Sequence, residues 1–95
     1  YPPILFDLAF EMDAGIPASD AVRAARGAAG VMLEDLRVFD VFAGGTLAEG
    51  RKSLAMSFRF RAADRTLTDE EAAALRRTIA EAVEASTGGS VRGEV

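Results

Sequence analysis

The side chains able to do chemistry in this 95-residue chain are carboxylates, arginines, one lysine, hydroxyls and a single tyrosine, because it has no histidine and no cysteine. That excludes a disulfide framework, thiolate or imidazole metal sites, cysteine nucleophiles and every Ser-His-Asp arrangement. No pair of carboxylates has a spacing suited to acid–base work, and Ser86-Thr87-Gly88-Gly89-Ser90 reads as a loop, not a phosphate cradle. Recognition by arginine is what remains. Five basic residues, Arg51, Lys52, Arg59, Arg61 and Arg65, stand against a single acid, Asp64, between positions 51 and 65. From 69 to 84 the balance inverts, with Asp69, Glu70, Glu71, Glu81 and Glu84 against Arg76 and Arg77. The net charge of −4 argues against polyanion binding by bulk charge, so any anion would meet a local basic face on an acidic body.

The basic residues sit in the cleanest alternation of the chain. Over 53–61, Leu54, Met56, Phe58 and Phe60 share one side, while Ser53, Ala55, Ser57, Arg59 and Arg61 share the other. An earlier strand over 4–12 carries Phe6, Leu8, Phe10 and Met12 on one side and Asp7, Ala9 and Glu11 on the other. Pro2-Pro3 forbids helical entry before it, and Asp13-Ala14-Gly15 turns the chain after it. A helix follows from about Pro17 to Ala29, with a stripe of small residues at Ala18, Ala21, Val22, Ala25 and Ala28 or Ala29 that would lie close to a sheet. Residues 32–42 read as a β-branched and aromatic strand, with Leu36, Val38 and Phe42 on one face and Arg37, Phe39 and Val41 on the other. Asp40, on the side of Val38 and Phe42, calls for a place near an end or a paired, structural role.

Gly44, Gly45 and Gly50 suit a long hairpin loop over 43–50. Thr68 and Glu71 form a capping box that opens a helix to about Ala85, ended by Gly88-Gly89, and 90–95 is long enough for a last strand. Strand, helix, strand, strand, helix, strand with right-handed crossovers predicts an α+β, ferredoxin-like βαββαβ fold: a four-stranded antiparallel sheet with both helices on one face. Parity leaves Asp7, Ala9, Arg37, Phe39, Val41, Ser53, Ala55, Ser57, Arg59, Arg61 and Arg92 on the bare side. Arginines with an aromatic on an uncovered sheet suit single-stranded RNA, whose bases stack on rings while guanidinium groups hold phosphates. Arg59 and Arg61 fit equally the bland description of solvated strand residues. Phe39 needs a base, another domain or a neighbouring side chain to cover it. The helix charges read as a solvated face.

Three strings in fixed order, Phe39-Asp40-Val41-Phe42, Gly50-Arg51-Lys52-Ser53-Leu54-Ala55 and Arg65-Thr66-Leu67-Thr68-Asp69-Glu70-Glu71, resemble the ferredoxin-fold anticodon-binding domain that closes the β subunit of bacterial phenylalanyl-tRNA synthetase. Tyr1-Pro2-Pro3 followed by Asp7-Leu8-Ala9 is similar to that domain's opening, so the resemblance spans essentially the whole chain. It implies a single non-catalytic domain over 1–95, part of a longer chain, contacting the anticodon stem-loop of tRNA-Phe. The implied RNA-binding residues are Arg37, Phe39, Arg51, Lys52, Ser53, Ala55, Ser57 and Arg59. The implied parent is a cytoplasmic (αβ)₂ ligase, this β subunit with its α subunit, which uses ATP and magnesium; the domain itself is expected to hold no cofactor or metal. Phe42 stands where that family often has Tyr, and lacks its hydroxyl.

Two other readings share this strand order. A small-molecule regulatory domain would use loops such as the one holding Gly44, Gly45 and Gly50. An acylphosphatase-like enzyme would need a phosphate-cradling loop, where Asp13-Ala14-Gly15-Ile16-Pro17 offers an acid and a proline instead. No apolar run approaches the roughly 20 residues that cross a bilayer, so no membrane role is expected.

Overall fold

The computed structural model describes residues 1–93. Its elements are β1 (Ile4–Asp13), α1 (Ala18–Ala29), β2 (Leu33–Phe42), β3 (Arg51–Phe60), α2 (Asp69–Thr87) and β4 (Ser90–Gly93). The sheet order is β2-β3-β1-β4, every neighbouring pair antiparallel, which is the ferredoxin-like arrangement that the alternation and the helix signals predicted. The part of the last strand expected at Glu94 and Val95 lies outside the described residues. β3 begins two residues earlier than its hydrophobic alternation does, at Arg51, because ladder pairing with Asp13 continues past the apolar side chains.

The core lies between the sheet and the helices. Phe6, Phe10, Phe58 and Phe60 supply its bulk, and the Phe6 ring stands 5.4 Å from Phe58 and 5.5 Å from Phe60. Rings at such separations attract beyond the burial of their area alone. The guanidinium of Arg76 on α2 lies 4.8 Å over the Phe6 ring and closes the cluster at its rim. Ala21, Ala25 and Ala29 recur every fourth residue and are buried, so α1 presents a stripe without bulk and approaches α2 closely.

Helix termini follow the expected chemistry. The Thr68 hydroxyl accepts from the Glu71 N–H at 3.1 Å, and the Glu71 carboxylate accepts from the Thr68 N–H at 2.9 Å. At the other end Gly88 takes a left-handed φ of 71° and donates its N–H to the Glu84 carbonyl at 2.8 Å, a conformation glycine adopts without the Cβ clash that other residues meet. Two further bonds aim β4. Val91 donates its N–H to the Glu84 carboxylate at 2.9 Å, and Gly89 donates to the Thr87 hydroxyl at 3.1 Å.

Candidate nucleic-acid interface

Both helices lie on one side of the sheet, and the side facing away from them is bare, as parity required. Cross-strand register fixes its composition. One row places Asp35, Arg59 and Leu5 across β2, β3 and β1; the next places Arg37, Ser57 and Asp7. Then β2 departs from simple alternation. Between Val38 and Asp40 the register slips by one, so that Val38 faces Met56 and Asp40 faces Ala55. Phe39 is the extra residue, exposed and without a cross-strand partner in the ladder. Such a bulge reverses the facing of everything beyond it. Asp40 and Phe42 therefore turn to the bare side, opposite Ala55 and Ser53, and Val41 turns to the helix side, opposite Leu54. The assignment of Phe42 to the core face and of Val41 to the bare face, read from unbroken alternation, is thereby corrected. Asp40 is exposed, not buried in a paired structural position.

Phe42 has a partner from the far side of the sheet. Arg92, on β4, lies with its guanidinium carbon 5.9 Å from the Phe42 ring centroid. β2 and β4 are opposite edges, separated by three interstrand steps of about 4.8 Å each, so the two side chains reach toward one another over β3 and β1. The residues beneath are small and deeply buried although no helix covers them: Ser53 at 2%, Ala55 at 6% and Ala9 at 7% exposure. The guanidinium now covers the ring, since a planar group between them would need about 7 Å. With Arg92 drawn back, such a group would find a ring to stack on, a cation above it, a floor without protruding side chains, and the Asp40 carboxylate as an acceptor nearby.

The basic stretch is largely committed inside the molecule. Arg51 pairs with Glu11 at 3.2 Å on the bare side. Lys52 has the opposite facing, beside Met12, and donates to the Ile16 carbonyl in the turn before α1. Arg59 and Arg61 share the Glu34 carboxylate at 3.7 and 2.8 Å, and the Arg61 hydrogen bond, with both positive charges, holds that carboxyl below its ordinary range. Arg65 binds Glu71 at 2.6 Å. The Arg65 hydrogen bond, followed by that from the Thr68 N–H, pulls the Glu71 carboxyl down to about 2. Of the sequence-predicted residues, Arg37, Arg51, Ser53, Ala55, Ser57 and Arg59 share the bare side, Lys52 does not, and Phe39 sits at the bulge. Among the described residues Arg37 has no ion-pair partner.

The family description "ferredoxin-fold anticodon binding domain" matches residues 1–92. The chain belongs to this family. It is 46% identical over 87 residues to the phenylalanine–tRNA ligase beta subunit of Ruegeria pomeroyi, covering 92% of the chain and 11% of that protein. The same subunit of Paramagnetospirillum magneticum is 44% identical over 91 residues, covering 96% and 11%. That of Thermobifida fusca is 44% identical over 93 residues, covering 98% and 11%. The chain thus spans about a ninth of the length of these relatives.

Sequence reasoning on this anticodon-binding domain missed Asp40 and Phe42 and named Arg92 only through parity. A fully alternating reading of 36–42 strands Asp40 among apolar neighbours, and that misfit was the available signal that the register slips. Among the described residues no group of three or more Asp or Glu stands together as a metal site. Among the described residues no helix is long and apolar enough to cross a membrane.

Proposed function

We propose that the chain is an RNA-binding module that contacts the anticodon stem-loop of tRNA-Phe, as one domain of a phenylalanine–tRNA ligase beta subunit. The observation that carries this is the Phe42–Arg92 pair above its floor of Ser53, Ala55 and Ala9. An unpaired anticodon base stacks on the Phe42 ring, worth about 1–3 kcal/mol, as the Arg92 guanidinium moves off the ring to the far face of the base. Asp40 accepts a hydrogen bond from an amino or imino N–H on the base edge, which favours bases carrying a donor there. The domain performs no bond-making step. In the larger enzyme it holds one end of the tRNA while aminoacylation, with ATP and magnesium, proceeds elsewhere. Its partners in that reading are the remainder of the beta subunit and the alpha subunit in a cytoplasmic (αβ)₂ assembly.

The internal pairing of Arg51, Arg59, Arg61 and Arg65 sets the character of the binding. Base capture dominates and long-range attraction is weak, consistent with a net charge of −4. The regulatory small-molecule alternative finds less support. Gly44, Gly45 and Gly50 take positive φ to shape the hairpin tip, whereas a groove of about 540 Å³ lies along α2 beside Leu8 and Val91, away from that loop.

Titration with an anticodon stem-loop RNA, followed by backbone amide shifts, tests the proposal. Shifts concentrated at Asp40, Phe42, Ser53, Ala55 and Arg92 are expected. Shifts confined to α1 and α2, or none at saturating RNA, would refute it.

A further inference from the structure

We infer that Arg37 and Arg59 form a phosphodiester station that holds the RNA backbone on the bare sheet at a nucleotide neighbouring the one captured by Phe42 and Arg92. The inference rests on the RNA-binding reading and adds the strand's path. Arg37 faces Ser57, and Arg59 faces Asp35 two positions along, so the two arginines are diagonal neighbours on adjacent strands. Diagonal positions lie about 7–8 Å apart. Both are exposed on the side away from the helices. Like charges at that spacing repel, and an anion between them removes the repulsion.

Position along the strand gives the second argument. Arg37 and Ser57 lie four residues down β3 from the Phe42–Ser53 row, about 13 Å at 3.3 Å per residue. That is beyond the span of one nucleotide and within reach of a phosphate on the next along an extended strand. Ala55, on β3 between the two rows, carries no bulk to obstruct the path.

Nearby acids decide which arginine contributes more. Glu34 holds Arg59 at 3.7 Å, but Arg61 holds the same carboxylate at 2.8 Å, so Arg59 can swing to a phosphate without leaving Glu34 unpaired. Asp35 faces Arg59 across the ladder, and Asp7 lies two strands from Arg37 in its row. Neither makes an ion pair with Arg37 among the described residues. Arg37 is therefore the principal phosphate ligand and Arg59 the secondary one.

The test uses the chain with a single-stranded oligoribonucleotide of anticodon-loop sequence and a scrambled one, each titrated at several salt concentrations. One phosphate contact to a single strand contributes about 0.7 to the slope of log K against log salt. Arg37→Ala should flatten the slope by about that amount while preserving the preference between the two RNAs, and Arg37→Lys should restore the slope. Arg59→Ala should flatten it less. An unchanged slope in Arg37→Ala, with binding still abolished or weakened by Phe42→Ala, overturns this inference alone. Absence of binding by the unaltered chain to either RNA overturns the RNA-binding reading itself.

Discussion

Phe42 and Arg92 stand on opposite edges of a four-stranded sheet, yet the guanidinium carbon of one lies 5.9 Å from the ring centroid of the other. The contact needs both a register slip in β2 and the aim that Glu84 and Thr87 give β4. Because the ring is 44% exposed, its loss leaves the core intact. Phe42→Ala should weaken binding of an anticodon stem-loop by about 1–3 kcal/mol, with little change in melting temperature. Phe42→Tyr should keep the affinity. Fluorescence titration together with thermal denaturation separates the two effects.

Arg51 and Lys52 carry the opposite expectation. Arg51 already faces Glu11 at 3.2 Å, and Lys52 donates to the Ile16 carbonyl on the other side of the sheet. Neutralising either should leave the salt dependence of RNA binding nearly unchanged. Arg51→Ala should alter stability by no more than about 1 kcal/mol, the usual worth of a partly exposed pair. A slope flattened as strongly as by Arg37→Ala would show that the Glu11 pair opens to admit phosphate.

The capping box gives the domain a titratable contribution to stability. Glu71 has its carboxyl drawn from an ordinary 4.5 to about 2 by Arg65 and the Thr68 N–H. A depressed carboxylate stabilises the fold fully above its unfolded value and progressively less as pH falls through the folded one. Melting temperature should therefore decline between about pH 5 and pH 2, and Glu71→Gln should shallow that decline. Thr68→Ala should cost about 1 kcal/mol across the whole range, since it removes the hydroxyl acceptor whatever the charge on Glu71. Calorimetry over that pH range checks all three.

Gly89 is required for room. A Cβ built there would lie 2.6 Å from the backbone oxygen of Glu11 and 3.1 Å from the Met12 Cβ. Backbone cannot yield as a flexible side chain can, so Gly89→Ala should destabilise by about 1–3 kcal/mol. It should also push β4 away from β1, carrying Arg92 off Phe42, so RNA affinity falls along with stability. Gly27→Ala is the contrast. That position has open space around it inside α1, and the change should stabilise by up to about 1 kcal/mol. Chemical denaturation of the two variants distinguishes a need for space from a general intolerance of alanine.

The fold was legible because several independent signals agreed. Alternation in 4–12 and 53–61, the Thr68–Glu71 box and the glycines after α2 each specify local structure, and the elements admit few topologies. The bare side was legible in β1 and β3, where no register slip separates their pairing. It was not legible in β2, because a bulge is set by pairing with β3, and within 33–42 the only hint of it is the charge of Asp40 on an otherwise apolar parity. The reach of Arg92 across two strands was hidden for a related reason, since it depends on long-range geometry. Which cations were already paired also escaped the sequence, because Glu11, Glu34 and Glu71 approach their arginines only through the folded register.

The slip at Phe39 makes the spacing of β2 a determinant of what the domain can hold. Excising Phe39 would remove the bulge and leave the ring and carboxylate on the bare side by plain alternation, whereas pairing all of 38–42 without the slip would send them toward the helices and bring Val41 out in their place. Insertions within the exposed hairpin tip at 43–49 would carry no such inversion. Changes that draw Phe39 into the ladder should therefore be purged among descendants of this chain, while length variation accumulates at the tip.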